Sequence, residues 1–189
     1  MKEFTTAGVD EVGRGCLAGP VVSAAVILKE GINLGLLRDS KKVSFRKREK
    51  ISKHIKDNSY HAIGIATVHE ILNLNILQAS LLSMKRAIDG LNIKPNLILI
   101  DGKYAPKGLK NYKTIINGDE KEKVISAASI VAKVFRDKFM IKLSEKFSNY
   151  AWEKNFGYGT RDHLAGLKKY GVTSHHRKAF KPVHKILSK

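Results

Sequence analysis

Four acidic residues of this chain stand where a carboxylate is hard to place. Asp10 and Glu11 directly follow a short first strand that Val9 closes. Asp101 follows the apolar run Leu97-Ile98-Leu99-Ile100, and Asp119 follows Ile115-Ile116-Asn117-Gly118. A carboxylate at the end of a buried strand is costly without a partner, and strand ends are where sites gather in open α/β sheets. If these acids converge, mutual repulsion raises at least one pKa unless a cation intervenes. Oxygen-only ligands suit Mg²⁺ or Mn²⁺ rather than zinc or copper. Taken singly, each acid also has a plainer reading as a loop cap or a lysine partner. One geometric condition applies: neighbours on a strand point to opposite faces. Asp10 and Glu11 can therefore serve one centre only if the strand ends there, and Gly13 provides an ending.

The rest of the chain carries the opposite charge. Across 189 residues, 35 Lys and Arg face 17 Asp and Glu, a net charge of +18 that points to polyanionic partners, nucleic acid first. After Asp162 there is no acid at all, while Lys168, Lys169, Arg177, Lys178, Lys181, Lys185 and Lys189 follow, with His175, His176 and His184 among them. This tail reads either as a footprint for a phosphate backbone or as a solvated terminus. The single cysteine, Cys16, excludes an internal disulfide and a zinc finger. The longest apolar run, residues 17–28, is broken by Gly19 and Pro20 and falls short of the roughly 20 residues a membrane helix needs. With no apolar signal region at the start, the expectation is a cytoplasmic protein without a membrane segment.

The elements that must position these acids can be read from pattern. Residues 21–28, rich in Val, Ile and Ala, predict a strand, as do residues 61–67. Ser44 is placed to cap a basic helix reaching about Ile55. Ile71, Leu74, Leu77, Leu81 and Met84 recur at helical spacing and predict one helix over residues 69–88. Residues 96–100 suit a strand buried on both faces, and residues 114–116 a second short strand. Residues 124–143 are apolar round most of the circumference and predict a buried helix. Two shorter helices are predicted around residues 139–149 and 160–170. Strands alternating with helices indicate an α/β domain with a mixed sheet.

Several stretches together resemble the ribonuclease HII family. Gly8-Val9-Asp10-Glu11-Val12-Gly13-Arg14-Gly15, continued by Leu17-Ala18-Gly19-Pro20-Val21-Val22, is similar to its N-terminal signature, and Asp39-Ser40-Lys41-Lys42 to its next block. Ile100-Asp101-Gly102 and Gly118-Asp119 match its later acids. Residues 125–134 with Arg136-Asp137 match its longest block. Gly157-Tyr158-Gly159-Thr160, His163, His176-Arg177 and Phe180 match its C-terminal one. The resemblance spans nearly the whole chain in order. Cys16 stands where the family usually has Pro, and Asn155-Phe156 where it usually has His-Lys.

The resemblance implies a ribonuclease-H-like fold: a single domain, residues 1–189, with a central mixed five-stranded sheet flanked by helices. A helical, basic C-terminal extension from about residue 145 completes it. It implies metal-binding, catalytic carboxylates at Asp10, Glu11, Asp101 and Asp119, with Mg²⁺ or Mn²⁺ as cofactor. Asp137 competes for the fourth place but sits late in a helix beside Arg136, where a structural ion pair is expected. Gly13-Arg14-Gly15 would sense a ribose 2′-hydroxyl through the backbone, Tyr158 would pack on the next sugar, and Ser40, Lys41 and Lys42 would contact substrate phosphates. The implied activity is two-metal hydrolysis of RNA in RNA–DNA hybrids and 5′ of ribonucleotides embedded in duplex DNA, by a monomer. Two rivals remain open at this level. A non-catalytic nucleic-acid-binding protein explains the charge but not the acids. A DNA-junction nuclease of the same fold explains the acids but not the glycine-rich blocks.

Overall fold

The computed structural model describes residues 4–33, 35 and 44–188. Ser40, Lys41 and Lys42 therefore lie outside the described residues. The order of elements is β1 (Thr6–Val12), β2 (Val21–Leu28), α1 (Phe45–Asp57), β3 (Ser59–Ala66), α2 (Val68–Asp89), β4 (Leu97–Asp101), β5 (Tyr112–Ile115), α3 (Gly118–Lys121) and α4 (Lys123–Ser144). A 3₁₀ turn (Ser148–Tyr150), α5 (Trp152–Asn155), α6 (Arg161–Tyr170) and α7 (Lys181–Leu187) make up the C-terminal extension.

The five strands form one sheet in the order β3-β2-β1-β4-β5. β1 to β3 are an antiparallel meander, whereas β4 and β5 run parallel to β1 and to each other. The two faces are covered differently. Val9, Ala25, Ile98 and Ile100 pack with Met84, Ala87 and Ile88 of α2. On the other face Ala24 and Val26 pack with Ile51 and Ile55 of α1 and with Ala127, Ala128 and Val131 of α4. Gly8 lets α4 lie close, because a Cβ there would run into the backbone of Val124 and Ile125.

Two helices start as their sequences dictate. The Ser44 hydroxyl accepts from Lys47 N at 3.4 Å at the head of α1. Thr67 and Glu70 close a reciprocal capping box at the head of α2.

The structure corrects three local expectations. β1 does not stop at Val9 but carries Asp10 and Glu11 as paired residues and ends at Val12. The helix expected over residues 69–88 is interrupted at Asn75, which takes φ 68° and ψ 167°. The Asn75 side chain accepts from Leu77 N at 3.0 Å and Gln78 N at 3.1 Å, restarting the helix there. Periodicity misses this because the apolar spacing continues across the break. No separate helix occupies residues 139–149: α4 continues to Ser144 and a 3₁₀ turn follows.

Candidate active site

Strand register brings the acids together. Val9 of β1 pairs with Ile100 of β4 in parallel, so the next positions set Asp10 beside Asp101. Both point to the α4 side, since Val9 and Ile100 point to the α2 side. Asp10 is only 6% exposed, and the nearby Ser129 side chain of α4 favours its charged form. Asp10 Oδ1 accepts from its neighbour's own backbone, Glu11 N, at 2.7 Å. Asp101 Oδ1 accepts from Gly118 N at 2.6 Å. That bond ties the end of β4 to the start of α3, and Asp119 is the next residue of that helix.

Glu11 lies within the strand and so starts from the opposite face to Asp10. Arg14, past the turn at Gly13, reaches back to Glu11 Oε1 at 3.1 Å. The other oxygen, Oε2, is buried without a hydrogen-bond partner among the described residues. The electrostatics follow. Burial first, then Glu11, with a smaller contribution from Asp101, raises the Asp10 carboxyl from 3.8 to about 8. Burial also raises Glu11, and Arg14 only partly offsets it.

Three carboxylates, one with an orphaned buried oxygen and one driven towards its neutral form, make an oxygen-only donor set that fits a hard dication. Among the described residues no three acidic, His or Cys side chains are already drawn into a metal cage.

Beside the carboxylates runs the loop from Gly13 to Pro20. Gly13 takes φ 94°, and a Cβ there would run into the Arg136 side chain. Gly15 differs: its φ is not positive and an added Cβ would meet nothing within 4 Å. The fold therefore does not require glycine at position 15, whereas a ligand approaching the backbone would. Against this loop sits the turn at Gly157, whose carbonyl accepts from Leu17 N at 2.7 Å and Ala18 N at 3.3 Å. Tyr158 is 39% exposed, and its hydroxyl lies near the buried thiol of Cys16. Lys133 Nζ stands 4.8 Å from the Phe156 ring centroid and 5.7 Å from that of Tyr158.

Several side chains are placed otherwise than their sequence context suggests. Asp137 is fully buried but does not pair with adjacent Arg136. It forms the expected structural ion pair with other cations, Lys133 at 2.7 Å and Arg48 at 3.9 Å, while Arg136 is engaged with the Pro20 carbonyl. Arg177 and His176, counted in the basic tail, are buried rather than offered to a phosphate backbone. Ser129, Arg136 and Arg177 touch the site or its loop and were not singled out as site residues. A buried cation inside an apolar helix, as at Arg136, was the available signal. Among the described residues no helix is long and apolar enough to cross a membrane.

Comparison with known proteins points to one family. Residues 7–185 match the family described as Ribonuclease HII. The chain is 57% identical over 183 residues to a ribonuclease HII of Pelagibacter ubique, covering 96% of this chain and 98% of that protein. It is 50% identical over 182 residues to a ribonuclease HII of Ruegeria pomeroyi, covering 96% and 78%. The crystal structure of ribonuclease H2 from Pyrococcus horikoshii superposes with a TM-score of 0.81 at 28% identity, covering 98% of each chain.

Proposed function

Because this chain belongs to the ribonuclease HII family, a family of metal-dependent phosphodiester hydrolases, we propose that it cuts the RNA strand of RNA–DNA hybrids and the 5′ side of ribonucleotides embedded in duplex DNA. The products carry a 5′-phosphate and a 3′-hydroxyl. What supports this reading is the parallel register that sets Asp10 beside Asp101, with Glu11 next along β1, near a glycine-lined loop with open space at Gly15.

Asp10 and Asp101 are the central metal-holding residues in this reading, with Glu11 and Asp119 completing the set. Mg²⁺ or Mn²⁺, if bound by these carboxylates, would supply an activated water for in-line attack and charge stabilisation at the leaving 3′-oxygen. Asp10 must surrender its proton before it can act as a ligand, and the Ser129 hydroxyl favours that charged form. Gly118 N fixes the Asp101 carboxylate, leaving its second oxygen for a metal.

Recognition belongs to the loop. The backbone of Gly13, Arg14 and Gly15 meets the 2′-hydroxyl, the one group that separates RNA from DNA. The half-exposed Arg14 guanidinium is shared between Glu11 and a substrate phosphate. The Tyr158 ring packs on the following sugar, and Ser40, Lys41 and Lys42 contact phosphates. The reading further takes residues 1–189 as one catalytic domain, working as a monomer in the cytoplasm.

The test is a Mg²⁺-dependent assay on a DNA duplex containing one ribonucleotide, with the cut position mapped. Cleavage only 5′ of that residue is expected, with none on the all-DNA duplex. Equal cleavage of both, or of neither, overturns the reading.

A further inference from the structure

Two guanidinium groups, both buried, converge on the recognition loop. Arg177 is 2% exposed and Arg136 fully buried. Arg177 donates Nε to Gly19 O at 3.0 Å, Nη1 to Arg14 O at 2.8 Å and Nη2 to Pro20 O at 3.2 Å. Arg136, from α4, donates Nε to Pro20 O at 2.9 Å, Nη2 to Ala18 O at 2.9 Å and Nη1 to Phe156 O at 2.8 Å. Among the described residues neither forms a salt bridge. Burying a cation without a carboxylate is a costly way to gain stability. What these two cations secure is the path of residues 14–20.

The backbone of the same C-terminal segment joins in. Arg177 N donates to Leu17 O at 2.8 Å, and Gly19 N to His175 O at 2.9 Å. Next to it, a chain of side chains reaches Tyr158. His163 Nδ1 lies 2.9 Å from Tyr158 O. A carbonyl only accepts, so Nδ1 carries the proton. His163 Nε2 then accepts from Trp152 Nε1 at 3.0 Å and from His176 Nε2 at 3.0 Å. That leaves His176 Nδ1 to accept from Thr173 N at 3.0 Å and Thr173 Oγ1 at 2.9 Å. Both imidazoles are neutral in this arrangement, in keeping with burial that lowers His163 and pushes His176 to about 3.

The consequence lies in one peptide plane. In a trans peptide the C=O of one residue and the N–H of the next point in opposite directions. With the Arg14 carbonyl drawn inward onto Arg177, the same peptide plane turns the Gly15 N–H the other way, at a residue where an added Cβ would meet nothing within 4 Å. We infer that Arg177 is a positioning residue for 2′-hydroxyl recognition, aiming the Gly15 N–H by holding the Arg14 carbonyl. Arg136 and the Thr173–His176–His163 chain brace the same loop and Tyr158. The inference rests on the reading that Gly13–Gly15 senses the 2′-hydroxyl, and it gives the C-terminal segment a role in specificity rather than in general phosphate attraction.

The experiment compares wild type, Arg177→Lys and Gly15→Ala. It measures kcat and KM on the singly substituted duplex, inhibition by the matching all-DNA duplex, and thermal melting. A lysine keeps the charge but cannot hold three carbonyls in a fixed fork. For Arg177→Lys the expected result is a loss of about ten- to a hundredfold in kcat/KM, the scale of an ångström of misplacement. The inhibition constant of the all-DNA duplex should stay unchanged.

A folded Arg177→Lys that keeps wild-type kcat/KM, while Gly15→Ala loses it, overturns the positioning role and leaves the sensing reading intact. Full activity of Gly15→Ala overturns the sensing reading itself. If Arg177→Lys does not fold, Thr173→Val replaces it, removing one hydroxyl from a half-buried site. A folded Thr173→Val with unchanged preference for the ribonucleotide duplex then overturns the inference.

Discussion

The backbone N–H of Gly118 donates to the Asp101 carboxylate at 2.6 Å, joining the end of β4 to the helix that carries Asp119. This bond holds Asp101 on the α4 face, beside Asp10, by a group that no side-chain substitution removes. Replacing Asp101 with Asn removes charge from the site while keeping the shape. Asp101→Asn is expected to cut more slowly by well over about a hundredfold, the upper range for losing even an outer-sphere partner. Duplex binding in a gel-shift or anisotropy titration should change little. Wild-type cleavage by purified Asp101→Asn sinks the assignment.

The buried Asp10 carboxyl gives a pH signature for the metal-free protein. Its pKa is raised from 3.8 to about 8. Between those values the folded state holds a proton that the unfolded chain has released, so stability falls as pH rises. The buried neutral His163 and His176, whose pKa values are lowered, act in the opposite sense below about 6.5, so the Asp10 contribution is read as the difference from Asp10→Asn. In EDTA the wild type should lose melting temperature relative to Asp10→Asn from pH 5 to pH 8, and Mg²⁺ should recover the wild type at pH 8. A wild type that gains on Asp10→Asn over that range contradicts the burial argument.

Gly8 and Gly15 should respond oppositely to alanine. At Gly8 a Cβ meets the α4 backbone, and such overpacking costs about 1–3 kcal/mol. Denaturant unfolding of Gly8→Ala should show that loss. At Gly15 a Cβ meets nothing, so Gly15→Ala should unfold within about 0.5 kcal/mol of wild type. Its cleavage at a single ribonucleotide should nevertheless fall.

With a net charge of +18, binding to duplex should weaken steeply with salt. Contacts with about six phosphates cost about a thousandfold between 50 and 200 mM. Because Arg177 and His176 are buried, neutralising Lys168 and Lys169 should reduce the salt slope, whereas Arg177→Lys should leave it unchanged. A slope that fell on Arg177→Lys would return that residue to the phosphate footprint.

The order of strands and helices, and the acids beside apolar runs, were legible because burial leaves a one-dimensional trace: apolar runs end where carboxylates begin. Ser44 was legible as a cap because its partner, Lys47 N, lies three residues away; the capping box at Thr67 is just as local but went unread, the helix being expected from residue 69. Asn75 was not, since it keeps the apolar spacing while breaking the backbone.

What the sequence by itself determined is the α/β pattern, the excess of positive charge and which acids follow apolar runs, each a property of neighbours along the chain. Only the tertiary structure decided that β1 continues through Asp10 and Glu11 and that parallel register sets Asp10 beside Asp101. It alone turned two cations of the basic C-terminal half inward to grip the loop at residues 14–20. The grip on the loop depends on hydrogen bonds between residues more than a hundred positions apart, from Arg136 to Pro20 and from Arg177 to Arg14, and the parallel register joins Val9 to the distant Ile100. Closing such distances is decided by the whole packed core, and no local pattern records it.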